Sequence, residues 1–139
     1  MKEYPVTCYC GRPAHLKPNS LLYNGKSYGK HPFAYICDGF FESPQACRGS
    51  VGVHPNGKPL GTIPDENTKV LRRKLHAIVD PLWQNQAYAP RKKARGKVYA
   101  YLRSIMGMTA EECHIGNFDA DTCLRAMKEI REHPYEIRT

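Results

Sequence analysis

Apolar and polar residues follow two different rhythms along this chain. Up to about residue 61 the apolar positions come in short runs broken by turn formers. Leu21-Leu22-Tyr23 and Lys26-Ser27-Tyr28 flank Asn24-Gly25, a dipeptide suited to the positive φ angles of a type I′ hairpin turn. A strand is predicted over Phe33-Ala34-Tyr35-Ile36 and another over Ser50-Val51-Gly52-Val53-His54, before a second Asn-Gly at Asn56-Gly57. Beyond residue 62 the spacing becomes helical. Leu71, Leu75, Ile78 and Val79, continued by Leu82 and Trp83, recur every three or four residues, with Pro64-Asp65 opening the helix and Asp80-Pro81 expected to end, kink or restart it. A second helix is predicted from about Lys92 to Met106, carrying Ala94, Val98, Tyr101, Leu102 and Ile105 on one face and stopped by Gly107. Thr109-Ala110-Glu111-Glu112 reads as a capping box, and Asp119 as the N-cap of a last helix bearing Cys123, Leu124, Met127 and Ile130. Asn85-Gln86-Ala87-Tyr88-Ala89-Pro90 reads as a linker.

The chemistry of the first half lies in four cysteines, Cys8-Tyr9-Cys10-Gly11 and Cys37 with Cys47-Arg48-Gly49. Zinc takes four soft ligands, usually as two close pairs separated by a longer loop. In an extended segment residues i and i+2 point the same way, so Cys8 and Cys10 are placed to offer two thiolates to one ion. Gly11 and Gly49 suit a ligand loop that needs positive φ. The competing readings are two disulfides, or buried thiols without a partner. His15, His31 or His54 could also replace one thiolate. Disulfides need an oxidising compartment, and Met1-Lys2-Glu3-Tyr4-Pro5 carries no apolar run of a secretory signal. An intracellular, cytoplasmic protein holding Zn2+ at Cys8, Cys10, Cys37 and Cys47 is therefore expected. The fold class that follows is α+β: an N-terminal zinc ribbon of short antiparallel strands (residues 1–61) packed against a small C-terminal bundle of three or four helices (residues 62–139). So small a ribbon draws much of its folding energy from the metal.

Charge changes the picture in the middle of the chain. The 139 residues carry a formal net charge of +8. Seven basic residues stand against three acidic ones over 1–61, ten against three over 62–106 and four against seven over 107–139. Five positive charges fall within Arg91-Lys92-Lys93-Ala94-Arg95-Gly96-Lys97, and a second group is Lys69, Arg72, Arg73 and Lys74. On a nucleic acid such residues neutralise phosphates and give salt-sensitive affinity with little sequence information; alternatively they form a solvated face. Aromatic residues crowd the first 41 positions, where most should pack around the hairpins; Phe40 and Phe41, in the insertion before Cys47, are the candidates for an exposed contact with bases or a protein partner. His76 and Asp80, four apart, are expected to pair on a helix; with His114, Cys113 or Cys123 they are weaker candidates for a second metal site. No phosphate-binding Gly-rich loop, nucleophile elbow or paired-carboxylate motif appears, so the expectation is a binding protein and not an enzyme.

The cysteine knuckles together with Tyr35-Ile36-Cys37, Cys47-Arg48-Gly49-Ser50-Val51-Gly52-Val53-His54, Pro59-Leu60-Gly61-Thr62, Leu71-Arg72-Arg73, His76, Asp80-Pro81-Leu82-Trp83, Tyr99-Ala100-Tyr101-Leu102 and His114-Ile115-Gly116 resemble the zinc-finger-containing proteins of bacteriophages and prophages. The resemblance covers nearly the whole chain and implies a phage product acting inside a bacterial host cell, but no activity. It departs in the first knuckle, typically Cys-x-x-Cys, and in the longer insertion before Cys47. The ribbon alone is similar to the C-terminal zinc ribbons of type IA topoisomerases, which implies single-stranded DNA binding. Two functions are carried forward: nucleic-acid binding through the basic face, and a phage counter-defence inhibitor of the anti-CRISPR type that grips a host nuclease complex.

Overall fold

A computed structural model describes residues 1–26, 31–42, 47–84 and 90–136. The chain divides into two compact units, Met1–Asp65 and Glu66–Thr139.

The first unit is a four-stranded antiparallel meander: β1 (Val6–Thr7), β2 (Pro13–Pro18), β3 (Phe33–Cys37) and β4 (Ser50–Val51), each paired with the next. The register sets Ala14 opposite Cys37, Leu16 opposite Tyr35, and Tyr35 opposite Val51. Because side chains alternate along a strand, these residues share one face. That face forms the core, where Cys8, Ala14, Tyr35, Cys37, Val53 and Ile63 are buried. Buried Tyr35 also ties two distant segments together, its hydroxyl donating to the Gly57 carbonyl (2.6 Å) and accepting from the Tyr4 amide (2.8 Å).

Three sequence expectations change here. β2 has no counterpart among the expected strands; it fits between Pro13 and Pro18 because a proline at a strand end costs no interior ladder bond. No strand forms over Leu21-Leu22-Tyr23. Asn19–Leu21 is a 3-10 turn instead, and Asn24 and Gly25 take the expected positive φ (53° and 88°); the other half of that hairpin, Ser27-Tyr28, lies outside the described residues. The strand expected from Ser50 to His54 pairs only at Ser50–Val51. After it the chain makes a single bridge, Val53 to Pro59, around a turn closed by the Gly57 amide on the His54 carbonyl (2.9 Å).

The second unit is α1 (Glu66–Gln84), α2 (Arg91–Met106) and α3 (Ala120–Glu132), which pack pairwise around Leu75, Val79, Val98, Leu102, Met106, Ile115, Phe118, Cys123 and Ala126. α1 runs through Pro81 to its last turn rather than stopping there. A proline this close to the end forfeits one helical hydrogen bond, and Leu82 and Trp83 beyond it pack against the core. Gly107 closes α2 in the left-handed conformation (φ 65°), as expected. The capping box forms reciprocally, Thr109 N to Glu112 Oε1 (3.0 Å) and Glu112 N to Thr109 Oγ1 (3.2 Å). It opens only one turn, followed by a 3-10 segment at Ile115–Asn117, because the next apolar residues, Cys113, Ile115 and Phe118, are already drawn into the core. Asp119 caps α3 by accepting from the Thr122 amide (2.8 Å). Leu124 and Ile78 are exposed, against expectation: the buried stripes run through Cys123 and Ala126, and through Leu75 and Val79.

Candidate metal centre and binding surfaces

The four cysteines converge although they arrive from three places. Cys8 and Cys10 sit in the tight β1–β2 connection, Cys37 is the last residue of β3, and Cys47 precedes β4. The first pair is delivered by a turn and not, as the spacing suggests, by an extended segment. That turn is held by Gly11 N to Cys8 O and Cys8 N to Arg12 O, both 2.9 Å, with Gly11 at φ +92°. The Cys37 amide donates to the Gly49 carbonyl (2.9 Å), which brings the second pair together.

Cys8 Sγ lies 3.5 Å from Cys47 Sγ, Cys10 Sγ lies 3.5 Å from Cys37 Sγ, and all four sulfurs lie within 4.8 Å of one another. Four sulfurs at the zinc–thiolate bond length of about 2.3 Å stand about 3.8 Å apart at tetrahedral corners, so the cluster has the right size for zinc. None of the four is in a disulfide. Backbone amides support the sulfurs from two residues on, Gly39 N to Cys37 Sγ and Gly49 N to Cys47 Sγ, each 3.4 Å. The Arg12 guanidinium reaches Cys10 Sγ at 3.8 Å. Hydrogen bonding from the Arg12 amide lowers the exposed Cys10 thiol to about 6, whereas burial pushes the Cys8 and Cys37 thiols up. Burial makes the Cys8 and Cys37 thiolates costly on their own, and a cation among the four sulfurs offsets that cost. A hydrogen bond to Cys47 pushes the Tyr9 hydroxyl up to about 12. This set of four thiols binds zinc.

The glycines of the two knuckles do different work. Gly49 does not need positive φ; it needs the absence of a side chain, since a Cβ there would stand 2.6 Å from Cys8 Sγ and 2.8 Å from Ile63 Cγ2. The histidines stay outside the ligand set. His15 pairs with Asp38 (2.6 Å), and His31 and His54 line a cavity of about 550 Å³ on the sheet.

Phe40 and Phe41 occupy a 3-10 turn, Asp38–Phe41, directly after Cys37, with their rings 5.0 Å apart and edge-on. Phe41 is exposed, as expected. Phe40 is half-buried, with the Arg48 guanidinium 4.9 Å from its ring centroid; Phe41 is the more exposed of the two, with the Lys17 ammonium 6.0 Å from its ring centroid. Residues 43–46 of the insertion lie outside the described residues, as does the linker segment 85–89.

In the helical unit Lys69, Arg73 and Lys74 on α1 and Arg91, Lys92, Lys93, Arg95 and Lys97 on α2 are exposed. Arg72 is spent internally: its Nε donates to the Phe118 carbonyl (2.8 Å), tying α1 to the entry of α3. Arg95 stacks on Tyr99 (4.5 Å to the ring centroid) and approaches Trp83 (6.0 Å). The charges of α2 do not make one stripe. At helical spacing Lys93 and Lys97 share one side, and Lys92 and Arg95 another. His76 and Asp80 pair at 3.5 Å, but Cys113 and Cys123 are buried in the helical core, and the described metal-sized clusters include none of them or His114. Glu129, Glu132 and His133 do form such a cluster at the end of α3, with no signal in the sequence beyond the charges of an ordinary exposed helix end.

A family model described as a zinc-finger-containing domain matches residues 4–133. Comparison with the curated proteins and with the solved structures returns no match.

Proposed function

Starting from a chain that belongs to the family of zinc-finger-containing domains, we propose that it binds nucleic acid through phosphate-backbone contacts of its basic helices, and that it acts by binding without catalysis. The observation that carries this reading is the composition of α2: six basic residues and no acidic one along sixteen. Five of the six crowd the first two turns, where positive charge opposes the helix dipole and costs stability. Among the described residues no ion pair neutralises Arg91, Lys92, Lys93 or Lys97. An anionic polymer offsets that cost directly. The exposed Lys69, Arg73 and Lys74 of α1 add to the charge available to it. Zinc shapes the ribbon in this reading, and no helix among the described residues is long and apolar enough to cross a membrane.

Fluorescence anisotropy of labelled oligonucleotides tests it. Micromolar or tighter binding at about 50 mM salt should fall steeply by about 200 mM, and Lys92→Glu with Lys93→Glu should flatten that salt dependence by roughly one unit of slope for each phosphate that is no longer neutralised. No binding at low salt refutes the reading. Co-purification with a host protein that survives nuclease treatment would favour instead a phage counter-defence inhibitor of a nuclease complex, for which exposed Phe41 is the apolar anchor.

A further inference from the structure

The cavity of about 550 Å³ in the first unit falls within the range of pockets that take small organic groups, about 300–1,000 Å³. Ala34, Ser50 and Gly52 line it. Small side chains there leave the space open. Two partly exposed rings, Tyr23 (46 %) and Phe33 (36 %), stand at its wall. His31 and His54 add imidazole donors and acceptors, and no carboxylate lines it among the described residues.

This combination discriminates between occupants. An aliphatic side chain from a protein partner would cover the imidazoles of His31 and His54 without giving them hydrogen bonds, which is costly. A flat heteroaromatic ring with polar edges stacks on the aromatic faces and satisfies the polar groups at its rim. The absence of carboxylates, in a segment with seven basic and three acidic residues over 1–61, favours a ring that arrives attached to phosphate. We infer that this cavity takes one unpaired nucleobase, so that the ribbon unit reads single-stranded nucleic acid by its bases as well as its charge. The inference rests on the nucleic-acid reading above and gives it a strand preference.

The test uses the zinc-loaded full chain and three labelled probes: a single-stranded thymidine oligonucleotide, an abasic strand of the same length, and a duplex. The base-bearing strand should bind about tenfold or more tightly than the abasic strand, and more tightly than the duplex. Tyr23→Ala and Phe33→Ala should each reduce that ratio towards one while leaving abasic-strand affinity and its salt dependence unchanged; Tyr23→Phe should keep the ratio. Equal affinity of the unaltered protein for base-bearing and abasic strands overturns the pocket assignment and leaves backbone binding standing. A ratio that survives both alanine variants also overturns it, because the bases then sit elsewhere. Failure to bind either strand at low salt overturns backbone binding and the pocket together.

Discussion

Replacing Gly49 by alanine is the sharpest perturbation the metal site offers. The new Cβ would stand 2.6 Å from Cys8 Sγ, where ordinary contact begins at 3.4 Å, a shortfall of about 0.8 Å, and 2.8 Å from Ile63 Cγ2. Metal–ligand distances tolerate only about ±0.2 Å, so the clash is not absorbed by breathing of the site. Moving the Gly49 backbone away instead stretches the Cys37 N to Gly49 O bond and the Gly49 N to Cys47 Sγ contact, which pull the second ligand pair into place. Overpacking of this kind costs about 1–3 kcal/mol, equivalent to a loss of zinc affinity of about 5- to 150-fold. Competition against a chromophoric chelator measures it, with Gly96→Ala as control. At Gly96, on exposed α2, a Cβ meets nothing within 4 Å, and alanine should stabilise the helix by about 0.5–1 kcal/mol without touching zinc. Unchanged zinc affinity in the Gly49→Ala protein would refute the close-approach reasoning.

Other consequences are as specific. Cys10→Ser should release zinc and melt the ribbon unit while the helical signal of the second unit persists, because the two units have separate cores; loss of both signals in circular dichroism would contradict that. Tyr35→Phe strips the Tyr4 amide and Gly57 carbonyl of a buried partner and should lower stability by about 2 kcal/mol in chemical denaturation, whereas a change below about 0.5 would mean that water replaces the hydroxyl. The Thr122 and Thr109 hydrogen bonds hold the Asp119 and Glu112 carboxyls below their ordinary values. A group lowered on folding contributes stability above its unfolded value and loses it as pH falls through the folded one. Stability of the helical unit should thus be level near neutrality and drop below the ordinary carboxylate range, with Asp119→Asn shallower in acid denaturation; an unchanged acid limb would contradict the cap's role.

The metal site is legible in the sequence because zinc chemistry demands a residue type at a spacing, and only four of the six cysteines have it. The ligand delivery is not legible: whether Cys8 and Cys10 share a strand or a turn depends on β2, whose flanking prolines hide a strand that only pairing with β3 reveals. Gly49 reads as a flexible loop residue because its neighbour Ile63 is near in space and far in sequence. Helical periodicity locates all three helices, yet it cannot rank adjacent apolar residues, so it places Leu124 inside and passes over Ala126. Arg72 and Arg95 count with the free charges in the sequence, since only the folded chain brings the Phe118 carbonyl and the Tyr99 ring to them. The cavity has no sequence signature, being assembled from residues scattered between 19 and 60.

The claim on which the rest depends is a zinc ion held by Cys8, Cys10, Cys37 and Cys47, and X-ray absorption at the zinc edge on freshly purified protein tests it most directly. One zinc per chain with four sulfur scatterers at about 2.3 Å is the predicted result. Protein free of zinc, or a first shell in which nitrogen or oxygen replaces sulfur, would contradict it.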